Sequence, residues 1–162
     1  MNQSLSPFRL ASAEDFIGRE VAVTDWEFID QVQVNVFGEV TRWPFWMHSD
    51  PVRCAEESPY GGTLVHGFFM VSLLTHFMRL AGIMRPPDAE YSLNYGLDKV
   101  RVIRPVVVGD GVWLRDRITL LEVTEREEGR KRLKVANLLE VKGEDEPVLY
   151  AEYLGYWFPK TD

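Results

Sequence analysis

The segment Gly67–Ala81 constrains this chain more than any other part of it. Phe68, Phe69, Met70, Val71, Leu73, Leu74, Phe77, Met78 and Leu80 cover most of a helical circumference. Only Ser72, Thr75, His76 and Arg79 interrupt them, as a polar stripe at i, i+3, i+4 and i+7. Those four residues keep the apolar run below the roughly 18 residues that a membrane span needs. A soluble helix this apolar has to be wrapped, and the second half of the chain supplies the wrapping. Leu93–Val107, Gly111–Val123, Arg132–Val141 and Val148–Phe158 read as strands. Leu133, Val135, Leu139 and Val141 alternate with Lys134, Ala136, Glu140 and Lys142, the period of a half-buried strand. Gly109-Asp110-Gly111, Glu127-Glu128-Gly129 and Gly143-Glu144-Asp145 mark short turns, which imply antiparallel pairing. The expected class is α+β: one domain over residues 1–162, an antiparallel sheet curled around one long helix. The sheet edges and outer face would need cover, so a homodimer is expected.

The first half reads as helical. Asp30 is a plausible N-cap for a helix running to about Val40, with Val32, Val36 and Phe37 on one face. Ser49 or Asp50 followed by Pro51 signals a second, short helix over Val52–Glu57, ended by Ser58-Pro59. Residues 1–15 carry no strong pattern and are expected to be poorly ordered. They lack a basic start followed by an apolar block, so no secretory signal is expected. The single cysteine, Cys54, excludes an internal disulfide framework and fits a reducing cytoplasm. With 18 basic and 25 acidic residues the formal charge is −7, a poor match to nucleic acid. No cluster has metal-ligand spacing, so no metal and no cofactor are expected.

Several strings then resemble a known family. They are Asp25-Trp26, Ile29-Asp30-Gln31, Trp46-Met47-His48-Ser49-Asp50, Ser58-Pro59-Tyr60-Gly61-Gly62-Thr63-Leu64-Val65-His66-Gly67 and Ser72-Leu73-Leu74. In the second half Asn94-Tyr95-Gly96, Lys99-Val100-Arg101, Arg104-Pro105-Val106 and Val108-Gly109-Asp110 agree. The chain resembles the MaoC-like acyl dehydratases, in particular their NodN-like branch, from about Phe16 to Phe158. The resemblance implies a hot-dog fold, usually dimeric, acting on acyl thioesters of coenzyme A or acyl carrier protein. Its best-known chemistry is reversible hydration of a trans-2-enoyl thioester to an (R)-3-hydroxyacyl thioester.

That reaction needs a base for water, an acid for the α-carbon, and donors for the enolate oxygen. In the family a carboxylate and a histidine five residues later hold the water. The histidine corresponds to His48, and the backbone donor at the start of the central helix corresponds to Gly67. The helix N-terminus is partly positive and glycine allows close approach to its backbone. The carboxylate has no counterpart: Trp43 stands five residues before His48, and Arg42 replaces the usual glycine. An indole donates one hydrogen bond and accepts none, so Trp43 cannot act as a base.

Three responses to that loss are open. Glu39 would lie one turn before Trp43 if the helix continued, and Asp50 lies two residues beyond His48, although each has an ordinary solvent or capping role. Otherwise water activation has been abandoned, leaving an isomerase, a cyclase or an acyl-thioester binding subunit. Trp43, Phe45 and Trp46 would suit a flat or cyclic acyl group. Gly62 and Thr63 are expected to border the pantetheine arm, and His66 to contact substrate or fix its loop. Lys99, Arg101 and Arg104 are candidates for coenzyme A phosphates, with solvent-facing strand positions as the alternative.

Overall fold

Two aspartates decide where the first helices begin. The computed structural model describes residues 8–161, and there Asp30 accepts from the Gln33 backbone N–H at 2.9 Å. The Gln33 side chain accepts in return from the Asp30 N–H, closing a capping box that starts α1 (Gln31–Val40). Asp50 accepts from the Arg53 N–H at 2.9 Å, with Pro51 at the first position, and starts α3 (Pro51–Glu57). A single turn, α2 (Trp46–Ser49), stands between them, and α4 spans Gly67–Leu80. Thr41 caps the end of α1 and Arg42 takes a left-handed backbone with φ 58°. The helix therefore stops before Trp43, and Glu39 remains exposed on α1 rather than one helical turn from the tryptophan.

The described residues form an antiparallel six-stranded sheet from β1 (Glu20–Val23), β2 (Glu27–Ile29), β3 (Ala89–Val102), β4 (Val112–Glu125), β5 (Lys131–Val141) and β6 (Leu149–Pro159). The order is β1-β4-β5-β6-β3, with β2 also pairing with β4. Sequence periodicity finds the four long strands but not β1 and β2. These have four and three residues, too few to show a period, and they become strands by pairing along β4. β3 also starts and stops earlier than expected, and of its last expected residues Val107 makes only an isolated bridge to Leu64. Residues 1–7 lie outside those described, but 8–15 are not loose. The Asp88 carboxylate accepts from the Leu10 and Ala11 N–H groups at 2.8 and 2.9 Å, and Leu10 and Ala13 are buried.

α4 packs on the inner face of the sheet through Met70, Leu74, Phe77 and Met78, all buried. That is one stripe of the helix. Phe68 is 78% exposed, and Phe69, Val71 and Leu73 are half-buried, so a single chain leaves much of the apolar circumference uncovered. The inner face holds two apolar clusters. One includes Leu114, Leu139, Val34 and Leu74; the other includes Ile118, Leu120, Leu133 and Trp157. Buried Asp116 and Asn137 sit between them along β4 and β5. Trapped in that apolar setting, the Asp116 carboxyl is pushed well above the usual carboxylate range.

Candidate active site

The site assembles where α1, α2 and the loop before α4 meet. The Leu64 N–H donates to the Met47 carbonyl at 2.8 Å, and the Val65 N–H to the Val106 carbonyl at 2.9 Å. This pins the loop between α2 and the residues following β3. His48 lies in the single turn of α2, and its Nδ1 lies 2.8 Å from the Leu64 carbonyl oxygen. A carbonyl only accepts, so Nδ1 carries hydrogen and, in the neutral ring, Nε2 holds the free lone pair.

His66 immediately precedes α4, and its ring stacks on that of His48 with centroids 3.7 Å apart and planes at 23°. Phe37 packs against His66 at 5.1 Å. His66 is buried, and neither ring nitrogen has a hydrogen-bond partner. Burial, and then the neighbouring His48, hold its pKa below the usual histidine value. These residues, with Thr41, Trp43, Gly67 and Phe68, line a cavity of about 330 Å³. Among the described residues no carboxylate lines it: Glu39 is exposed on α1 and Asp50 is engaged in capping α3.

Gly67 opens α4 on the same cavity wall. A Cβ on this residue would lie 2.9 Å from Val102 Cγ2, so close packing against β3 already requires glycine here. The α4 N-terminus has no side-chain cap, so its first N–H groups are open to a ligand oxygen.

The other anticipated residues are placed around the cavity rather than in it. Trp43 is the exception: it lines the mouth, is 62% exposed and stacks on Phe45 at 5.9 Å. Trp46 lies under the Arg53 guanidinium at 4.3 Å, facing α3. Gly62 is pressed against Val107, where a Cβ would come within 2.9 Å. Buried Thr63 donates its hydroxyl to the Gln31 side-chain oxygen. Arg101 is exposed on β3 and bonds the neighbouring Val100 carbonyl, while Val102 points the other way onto Gly67. Lys99 pairs with Glu152 at 2.8 Å and Arg104 with Glu144, so both are neutralised locally.

Gln31 is the residue that pattern reading did not assign a role. Its amide donates to the His48 carbonyl at 2.6 Å and to Asn35 at 2.7 Å, while its oxygen accepts from Thr63. It ties α1 to both segments that carry the histidines. Its position directly after the Asp30 cap was the available signal.

The family model described as "MaoC like domain" matches residues 12–144. The chain belongs to this family. Nodulation protein N of Rhizobium leguminosarum bv. viciae is 34% identical over 145 residues, covering 90% of this chain and 88% of the relative. The 3-hydroxyacyl-thioester dehydratase Z of Mycobacterium tuberculosis (strain ATCC 25618 / H37Rv) is 35% identical over 135 residues, covering 83% and 86%. In structure, the R-hydratase PhaJ1 from Pseudomonas aeruginosa aligns with a TM-score of 0.68 at 19% identity, over 89% of this chain and 83% of that one. This agreement establishes the hot-dog fold of a MaoC-like member. No helix of the described residues is long and apolar enough to cross a membrane.

Proposed function

We propose that this MaoC-like protein is an acyl-thioester hydro-lyase, adding water to a 2-enoyl thioester of coenzyme A or acyl carrier protein, or removing it from the 3-hydroxyacyl product. One observation carries the reading: His48, with a lone-pair nitrogen set by the Leu64 carbonyl, lines one cavity with the glycine that opens α4. Hydration needs a base beside the β-carbon and a donor at the thioester oxygen, and these two groups supply both. The named activities of the Mycobacterium and Pseudomonas relatives support the same class. Trp43 stands where the family's carboxylate would be, so His48 is the proton-transferring group. Trp43 and Phe68 flank the acyl chain at the mouth.

A second reading, isomerisation or ring closure of an unsaturated acyl thioester, is supported by the lack of a carboxylate on the cavity wall. Crotonyl-coenzyme A separates the two readings. A hydro-lyase removes the enoyl absorbance with wild-type protein and fails to do so with His48→Ala. Binding without formation of 3-hydroxybutyryl-coenzyme A favours the second reading or a non-catalytic thioester-binding subunit.

A cytoplasmic homodimer completes the proposal. Tyr91, Leu93, Tyr95 and Leu97 on the edge strand β3 are exposed, as is Phe68 on α4. A second copy would cover this apolar surface, and light scattering at twice the chain mass is the expected result.

A further inference from the structure

Two buried ring nitrogens without partners, at the centre of a reaction site, call for a ligand. Leaving such a group unpaired is costly, and the His66 ring that carries them lines the same cavity as His48. The ring is also held: it is stacked on His48 at 3.7 Å and flanked by Phe37 at 5.1 Å. Its Nε2 edge faces the backbone of α1 and the Trp43 carbonyl, outside hydrogen-bond geometry, and a Cβ on Gly38 would stand 3.5 Å from that atom. An acceptor on that side favours hydrogen on Nε2 and leaves the lone pair on Nδ1. Burial keeps the ring neutral, so this lone pair is available.

We infer that His66 does the work of the missing carboxylate, forming with His48 a two-imidazole seat for the water that adds to the substrate. This rests on the hydro-lyase reading above. His66 Nδ1 accepts one hydrogen of the water and His48 Nε2 accepts the other. As the water oxygen bonds to the β-carbon, its proton passes to His48 Nε2 and the C=C electron pair moves toward the thioester oxygen, received by the Gly67 N–H. His48 then returns the proton to the α-carbon. One water has been added, the new hydroxyl still donates to His66, and both imidazoles end as they began. His66 touches the reacting water throughout but carries no proton across, which is why a neutral ring suffices where a carboxylate normally stands. Trp43 remains outside, at the mouth.

The test uses the full-length protein with crotonyl-coenzyme A. His66→Phe keeps a flat ring against His48 and deletes both nitrogens. It is expected to lower kcat on the order of 100-fold, with KM changed less than about threefold. Adding Trp43→Asp to that variant restores a carboxylate five residues before His48 and is expected to recover at least about tenfold. A His66→Phe rate within about twofold of wild type overturns the inference, as does a loss that Trp43→Asp cannot recover. Nitrogen-15 spectra of the histidine rings with (3R)-3-hydroxybutyryl-coenzyme A read the same seat without turnover. Movement of both His48 Nε2 and His66 Nδ1 supports the seat, whereas movement confined to His48 overturns it. Wild-type protein that neither binds nor turns over either thioester overturns the hydro-lyase reading and this inference together. Turnover that is indifferent to His66 removes this inference alone.

Discussion

The two ends of the sheet's inner face treat their polar groups in opposite ways. At the end away from the cavity, the buried polar groups of Trp157 and Lys131 are paired. Trp157 is fully buried and its indole N–H donates to the Ile83 carbonyl at 2.7 Å; nearby Lys131 reaches Glu14 at 2.7 Å. At the cavity end, His66 keeps two unpaired nitrogens and α4 begins without a side-chain cap. Unsatisfied groups are costly, and His66 is the residue that carries two of them, beside an uncapped helix start. The contrast separates an end closed by paired groups from the end that carries the proposed site.

Substitutions can break or sharpen this contrast. Trp157→Ala should cost about 3–5 kcal/mol of stability, seen as a lower urea midpoint, because it opens a large cavity and orphans the Ile83 carbonyl. If it instead lowers turnover without loss of stability, the division between the two ends fails. His48→Ala should do the converse. A loss in kcat on the order of 10²–10³-fold is expected, with a melting temperature within about 2 °C of wild type. Thr63→Val joins the two effects: it leaves the half-buried Gln31 oxygen unpaired and loosens the link to the His48 carbonyl. About 1–2 kcal/mol of stability and roughly tenfold in rate should be lost, checked by denaturation and the crotonyl-coenzyme A assay.

The smallest effect concerns Asp116, between the two clusters. Its folded-state pKa is raised by burial, so the folded protein binds this proton more tightly than the unfolded chain. Stability from this group is therefore full below the ordinary carboxylate pKa and declines as pH rises toward the folded value. Asp116→Asn keeps the oxygen that accepts from the Leu138 N–H and removes the ionisation. It should raise stability at pH 7–8 by about 1 kcal/mol and leave it unchanged near pH 3. Equal thermal shifts at both pH values would remove burial of the charge as the cause.

What could be read from the chain alone follows the range of the forces involved. The starts of α1 and α3 depend on contacts three residues apart, so Asp30 and Asp50 announced them. β5 was legible because its inner residues are buried at every second position. β1 and β2 were not, since their identity depends on β4 some ninety residues away. The site divides in the same manner. His48 and Gly67 came from resemblance, and the structure brings them onto one wall. The stack of His48 on His66, and the Gln31 clamp on His48 and Thr63, join segments 17 to 32 residues apart with no shared period to reveal them. Trp46 was expected to border substrate as part of an aromatic pocket, and Gly62 as a close approach to the pantetheine arm. Their contacts with Arg53 and Val107 are visible only in three dimensions.

Arg42 keeps a main-chain bend with φ 58°, a shape that glycine adopts freely and arginine only at a penalty of roughly 1–2 kcal/mol. The turn leading from α1 to Trp43 is thus fixed by the backbone of Arg42 and not by the side chain that follows it. Such a scaffold works as a socket: the group presented at position 43 can be replaced without redrawing the path of the chain. Exchanging the indole for another group there is then a question of one side chain, because the bend before it is already set by Arg42.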